Sequence, residues 1–277
     1  MNEPISIGPF SFGGGSKPLL VAGPCVIESE DSALAIAAEI ANLRAAESYQ
    51  VLFKASYLKD NRSSGESYRG PGLHEGLRIL EKVREATGLR VLSDVHSARE
   101  ASEAAGVLDV VQIPAFLCRQ TSLIEAVAAT ARAINVKKGQ FMAPEDMSNV
   151  VGKIRRAGGG TPMLTERGTA FGYHDLVVDF RGIAKMRATG CPVIFDVTHS
   201  LQKPAGLGTA SGGEPELAVM MARAAAAAGC DGIFVETHPD PSSALSDGAS
   251  MVPLERFPEL IAQAARVFEV ARELGTP

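Results

Sequence analysis

The chain has 277 residues, 45% of them hydrophobic and 21% charged, with a formal net charge of -5. This is ordinary globular composition, and the length suits one domain of the size of a (β/α)8 barrel, about 250 residues. A net acidic chain lacks the footprint of a nucleic-acid binder, and no apolar run approaches the ~20 residues that span a bilayer, so neither nucleic acid nor membrane is expected as a partner. Residues 1–18 lack the basic and apolar regions of a secretory signal. Cys25, Cys118, Cys191 and Cys230 are too scattered for a disulfide framework. A reducing, cytoplasmic setting is expected, which leaves thiols for packing or metal.

In chain order, residues 4–17 alternate weakly around Gly13-Gly14-Gly15 and predict a short β-hairpin ahead of the main fold. Apolar runs predict strands at 19–22, 51–55, 90–95, 110–113, 140–143, 163–166, 193–197 and 232–236. Helical patterns fall near 31–47, 71–87, 97–105, 121–134, 145–157, 175–189, 214–228 and 255–273. Strands rich in Val, Ile and Leu, each followed by a helix, predict a parallel α/β sheet. Eight such units favour a closed (β/α)8 TIM barrel over an open doubly wound sheet. No G-x-G-x-x-G follows a strand, which weighs against a dinucleotide fold. Gly158-Gly159-Gly160 reads as a helix stop. No linker interrupts the pattern, so residues 1–277 are expected to form one barrel domain, with 1–18 as a hairpin extension.

Barrel chemistry sits at the C-terminal ends of strands, and polar residues recur there. The second strand runs into FKASYLKDNRSS (53–64), which sets Lys54 at the end of an apolar run and follows it with Lys59, Asn61, Arg62, Ser63 and Ser64. Fixed donors at this density suit a phosphate or carboxylate ligand. Lys137 and Arg167 would join Lys54, Lys59 and Arg62 on the same rim, making a cationic mouth. The third strand runs into Ser93-Asp94-Val95-His96, and the fourth gives Gln112 ahead of Pro114. Cys25, His199, Glu236 and Asp247 form a plausible site for a divalent metal, because strands one, seven and eight are neighbours in a closed barrel. Blander readings stand beside these. Lys137 and Lys138 also read as a solvated pair ahead of the fifth strand. Cys25 also reads as a small buried hydrophobe, His199 as a core histidine and Asp247 as a turn residue. His238 competes with His199 as a ligand, and composition does not choose between them. The glycines at 206, 208, 212 and 213 predict a mobile lid over residues 203–213.

The stretches AGPCVIES (22–29), FKASYLKDNRSS (53–64), SYRGPGL (67–73), LSDVH (92–96), QIPAFLCRQTSL (112–123), NVKKGQFMAPEDM (135–147), TERGTAFGY (165–173), FDVTHSLQ (195–202) and ETHPDPSSALSDG (236–248) resemble the 3-deoxy-D-manno-octulosonate 8-phosphate synthase family over nearly the whole chain. The resemblance implies a (β/α)8 barrel capped by an N-terminal hairpin and assembled as a homotetramer. It implies condensation of phosphoenolpyruvate with D-arabinose 5-phosphate and water, releasing inorganic phosphate. Carried over by residue, it puts the phosphoenolpyruvate phosphate on Lys137 and Arg167. Lys54, Lys59, Gln112 and Ala115 would hold the rest of that substrate. Asn61, Arg62 and Ser63 would take the sugar phosphate, and Phe116 and Arg119 would reach a neighbouring subunit's site. Lys59, Asp94 and His96 are the candidate catalytic groups. Cys25, His199, Glu236 and Asp247 match the family's metal-dependent class, which implies zinc, iron, manganese or cobalt; the metal-free class has asparagine in place of Cys25. The rival readings are the sister synthase that uses erythrose 4-phosphate, and a non-catalytic phosphate-binding barrel. The sister carries Lys-Pro-Arg-Thr where this chain has Lys59-Asp60-Asn61-Arg62-Ser63.

Overall fold

The computed structural model describes residues 4–13, 15–60, 67–204 and 212–275. Eight parallel strands form a ring: β1 (Leu19–Gly23), β2 (Gln50–Lys54), β3 (Arg90–Asp94), β4 (Val110–Ile113), β5 (Ile134–Lys137), β6 (Met163–Glu166), β7 (Val193–Asp196) and β8 (Gly232–His238). Each pairs with the next, and β8 closes on β1 with Gly232 opposite Leu19 and Glu236 opposite Gly23. The outer layer is α1 (Glu30–Asn42), α2 (Leu73–Thr87), α3 (Ala101–Val107), α4 (Thr121–Thr130), α5 (Met147–Arg156), α6 (Arg181–Arg187), α7 (Ala218–Ala227) and α8 (Phe257–Leu274). The TIM-barrel expectation therefore holds, and the hairpin is present as Ile5–Ile7 paired with Phe10–Phe12.

Local chemistry explains the helices. Ser29 caps α1 by accepting a hydrogen bond from the Ser32 amide at 3.1 Å, and Glu30 and Asp31 complement the positive end of the helix dipole. In α8, Phe257, Leu260, Ile261, Ala264, Ala265 and Phe268 recur at three- and four-residue spacing and form one buried stripe. Among the described residues no helix is long and apolar enough to cross a membrane.

Strand side chains alternate between two cores. Leu20, Phe53, Val91, Val111, Val136 and Phe195 face the helices. Leu19, Val21, Leu52, Leu92, Val110, Met163, Ile194 and Phe234 fill the barrel interior, where Ile7, Phe10 and Phe12 of the hairpin join them. The hairpin thus plugs the N-terminal end of the barrel. Further along β2 to β8 the same inward face turns polar, with Lys54, Asp94, Gln112, Lys137, Thr165, Asp196 and Glu236 all buried.

Two element expectations are corrected. The fifth strand is 134–137, not 140–143; residues 139–143 form a turn, and α4 ends at Thr130. The inward polar residues Asn135 and Lys137 disguise the true strand, while Phe141 and Met142 give the turn an apolar look. The expected helix at 175–189 covers only 181–187, because Leu176–Val177 pairs antiparallel with Thr169–Ala170. Lys137 and Lys138 are buried at the end of β5 and do not precede it as a solvated pair. The proposed sugar-phosphate residues Asn61, Arg62 and Ser63 lie outside the described residues, as do positions 205–211 of the expected lid.

Candidate active site

A cleft of about 1060 Å³ opens at the C-terminal ends of the strands. Lys54, Lys59, Asp94, His96, Ala115, Phe116, Lys137, Arg167, His199, Glu236 and Asp247 line it. The inward-facing polar positions of the strands floor it, so strand alternation itself delivers these groups to one place. Gly23 makes room for Lys54: its φ is 150°, and a Cβ there would stand 2.2 Å from the Lys54 carbonyl oxygen.

One side of the cleft carries the candidate metal ligands. Sγ of Cys25 and carboxylate oxygens of Glu236 and Asp247 lie within 4.8 Å of one another. The Cys25 thiol is 3.1 Å from Asp247 Oδ2 and 3.1 Å from Ser246 Oγ. His199 stands at the edge of this group, its Nε2 3.6 Å from Glu236 Oε2. Its Nδ1 meets Asp196 Oδ2 at 2.8 Å, an arrangement that aims Nε2 at the cluster. His238 turns away, with its Nδ1 2.8 Å from the Asp240 carbonyl and its Nε2 3.5 Å from Glu28. Glu236 Oε2 is buried with no hydrogen-bond partner among the described residues. An orphaned carboxylate oxygen beside a thiol, an imidazole and a second carboxylate is the donor set that a transition metal takes up. Burial first, then the charges of Asp247 and Glu236, pushes the Cys25 thiol up to about 12. The thiol is therefore protonated until a cation displaces its proton.

The cationic side is more balanced than its composition suggests. Lys54 Nζ donates to Glu236 Oε1 and to the Cys25 carbonyl, both at 2.6 Å. Lys137 Nζ pairs with Asp196 Oδ2 at 2.5 Å and lies 3.8 Å above the Phe234 ring. Lys54 and Lys137 are therefore paired charges. Arg167 is different. Its Nη2 donates to the neutral Gln202 Oε1 at 2.8 Å, and its Nη1 is buried without an acceptor among the described residues. Burial pulls the Lys137 and Arg167 pKa values down, against the carboxylates nearby. For Lys59 burial pulls the same way, but Cys25, Glu236, Asp94 and Asp247 outweigh it and raise the value.

Asp94 anchors a hydrogen-bonded belt below the cleft. Thr165 donates to Asn135 at 2.8 Å, Asn135 to Gln112 at 2.7 Å, and Gln112 to Asp94, while Ser56 donates to the other Asp94 oxygen at 2.5 Å. Gln112 thus lies under the floor, its amide engaged by Asn135 and Asp94, and does not line the cleft. Burial raises the Asp94 pKa, yet Lys54, Lys59, His96 and Lys137 together hold it below the usual carboxylate range. His96 faces the cleft with its Nε2 2.9 Å from the Leu58 carbonyl, and because a carbonyl only accepts, Nε2 is a donor. Phe116 stands half exposed at the rim, whereas Arg119 is exposed and lines a separate pocket beside α5. Sequence reasoning gave no role to Ser56, Asn135, Thr165 and Asp196. The last three sit at inward strand positions, and that alternation was the available signal.

The chain matches the DAHP synthetase I family over residues 3–271. It is 51% identical over 272 residues to the 2-dehydro-3-deoxyphosphooctonate aldolase of Trichlorobacter lovleyi, covering 98% of this chain and 100% of that one. It is 54% identical over 261 residues to the protein of the same name from a Geobacter species, covering 94% and 96% of the two chains. The Alkalilimnicola ehrlichii protein of that name is 52% identical over 263 residues, covering 95% of each.

Proposed function

The chain belongs to the DAHP synthetase I family, and within it we propose that this enzyme condenses phosphoenolpyruvate with D-arabinose 5-phosphate and water, giving 3-deoxy-D-manno-octulosonate 8-phosphate and inorganic phosphate. Relatives near 50% identity over almost their full length carry the name 2-dehydro-3-deoxyphosphooctonate aldolase, an eight-carbon product, which supports this sugar over the erythrose 4-phosphate of the sister synthase. The single observation behind the site assignment is the Arg167 guanidinium, which lines the same cleft as Lys137 and whose buried Nη1 has no acceptor among the described residues.

In this reading Arg167 and Lys137 bind the phosphate of phosphoenolpyruvate, with the bidentate fork setting its orientation. Lys54 and Lys59 compensate the carboxylate, and the backbone at Ala115 bounds its pocket. Phe116 stands over the rim. Asn61, Arg62 and Ser63 are assigned the sugar phosphate. The enol carbon C3 attacks the sugar aldehyde, water adds at C2, and the phosphohemiketal loses phosphate by C–O cleavage. Holding two anions at attack distance is the main task of the site, and preorganised charge performs it. Asp94 and His96 face the reacting groups and are assigned the proton transfers, His96 through Nδ1, with Lys59 beside them. Cys25, His199, Glu236 and Asp247 would hold a divalent ion such as zinc, iron, manganese or cobalt, placing the chain in the metal-dependent class. When bound, the ion supplies Lewis acidity at the aldehyde or the attacking water. The assembly is read as a homotetramer in the cytoplasm; half-exposed Phe116, Phe141 and Phe171 offer apolar surface that association between subunits would bury. Light scattering tests it.

The decisive experiment is a phosphate-release assay with phosphoenolpyruvate and each aldose phosphate. Turnover with arabinose 5-phosphate should far exceed that with erythrose 4-phosphate. Equal or better kcat/KM with the four-carbon sugar would overturn the assignment.

A further inference from the structure

Directly behind the two proposed phosphate cations sits a second pair of charges that the reaction does not use. Strand alternation turns Lys137 inward and its neighbour Lys138 outward. At the end of β6 it turns Glu166 outward and Arg167 inward. Lys138 is fully buried and Glu166 nearly so, and they meet outside the barrel wall, Lys138 Nζ 3.4 Å from Glu166 Oε1. A buried lysine needs acceptors on every side. Lys138 takes them from the turns that follow β5 and β6: the carbonyls of Gly139, Met142 and Gly168 at 3.3 Å and Thr169 Oγ1 at 3.4 Å. Glu166 Oε1 in turn accepts from the amides of Arg167 at 2.9 Å and Gly168 at 2.6 Å. The same two turns are joined by the Ala170 amide donating to the Gln140 carbonyl at 3.0 Å.

We propose that Lys138 and Glu166 are positioning residues for the phosphate site: a buried ion pair behind the wall that fixes the backbone from which Lys137 and Arg167 project. The inference rests on the assignment of that phosphate site. Neither residue touches substrate. Their ammonium and carboxylate occupy the centre of a cage of main-chain groups, much as a structural ion would, and set the distance between the ends of β5 and β6. A phosphate bridging Lys137 and Arg167 is sensitive to that distance, and the sugar end of the cleft is not.

The test uses Glu166→Gln, Lys138→Met and the double variant K138M/E166Q. Binding of inorganic phosphate and of phosphoenolpyruvate is measured by calorimetry, alongside KM for both substrates. Glu166→Gln keeps an oxygen for the two amides and leaves Lys138 among carbonyls, so it should fold. Lys138→Met strands a buried carboxylate and should melt lowest, and the double variant should recover stability without recovering phosphate affinity. For Glu166→Gln and the double variant, the phosphate Kd and the KM for phosphoenolpyruvate should rise by about ten- to a hundredfold. The KM for the sugar phosphate should stay within about twofold, a split that general loss of stability does not produce. Unchanged phosphate affinity in both variants would overturn the inference, as would a parallel rise in both KM values that tracks the melting temperature. Wild-type protein that binds neither phosphate nor phosphoenolpyruvate would instead overturn the site assignment, and the inference with it.

Discussion

Arg167 and Lys137 are both buried cations, yet their removal should have different consequences. Arg167→Ala strands no carboxylate, because its described partners are Gln202 and the His199 carbonyl. A lost charge-assisted hydrogen bond is worth roughly 1.5–3 kcal/mol, so the KM for phosphoenolpyruvate should rise about ten- to more than a hundredfold with little change in melting temperature. Lys137→Ala removes the 2.5 Å partner of Asp196, which has no exposed surface. Breaking such a pair costs roughly 3–5 kcal/mol, so this variant should lose stability as well as affinity. Steady-state kinetics paired with calorimetric melting separates the two. Asp94 gives a pH dependence with a definite sign. Its folded pKa is held below the unfolded value by Lys54, Lys59, His96 and Lys137 against the opposing effect of burial. The resulting stability is present above the unfolded pKa of about 4 and is lost as pH falls through the folded value. Melting temperature should therefore fall more steeply between pH 5 and pH 3 in wild type than in Asp94→Asn, and equal slopes would count against the assigned charge balance.

Among the elements, the hairpin at 5–12 carries the clearest prediction. Phe10 and Phe12 are almost fully buried against Val21, Leu52, Met163 and Phe234 inside the barrel. Phe10→Ala should cost roughly 3–5 kcal/mol in chemical denaturation, with the cleft chemistry intact in the protein that remains folded. This element was readable from sequence because alternation in Ile5–Phe12 is a local signal. The barrel was readable for a related reason: Leu19–Gly23 and Val193–Asp196 are buried on both faces and so are apolar almost throughout. Strand β5 was not, because its inward positions hold Asn135 and Lys137, whose partners Gln112 and Asp196 lie 23 and 59 residues away. The Lys138–Glu166 pair was hidden likewise, since nothing in NVKKGQF states which lysine faces the helices. Cys25, Glu236 and Asp247 were legible only as a consequence of closure, which makes β1 and β8 neighbours.

For the molecule as a whole, the proposed metal would join the first and last strands of the ring. Its ligands come from the end of β1, the short turn after β7, β8 and the loop beyond it, so a bound ion spans the closing seam. Chelation should abolish phosphate release, and adding back zinc, iron, manganese or cobalt should restore it. Because the unfolded chain cannot assemble these ligands, metal at about 100 times its Kd should add roughly 2.7 kcal/mol of stability, visible as a higher melting temperature. Cys25→Asn should lose most of that increment. Full activity in wild-type protein shown to be metal-free by elemental analysis would end the metal reading. The hairpin plug has a different consequence, set by the direction of synthesis. It leaves the ribosome before any of the barrel, but its socket includes Ile194 and Phe234, which are translated long after it. Contacts of such long sequence separation form slowly. Throughout most of translation Ile7, Phe10 and Phe12 therefore lack the socket they fill in the finished barrel, and the nascent chain carries them as exposed apolar side chains.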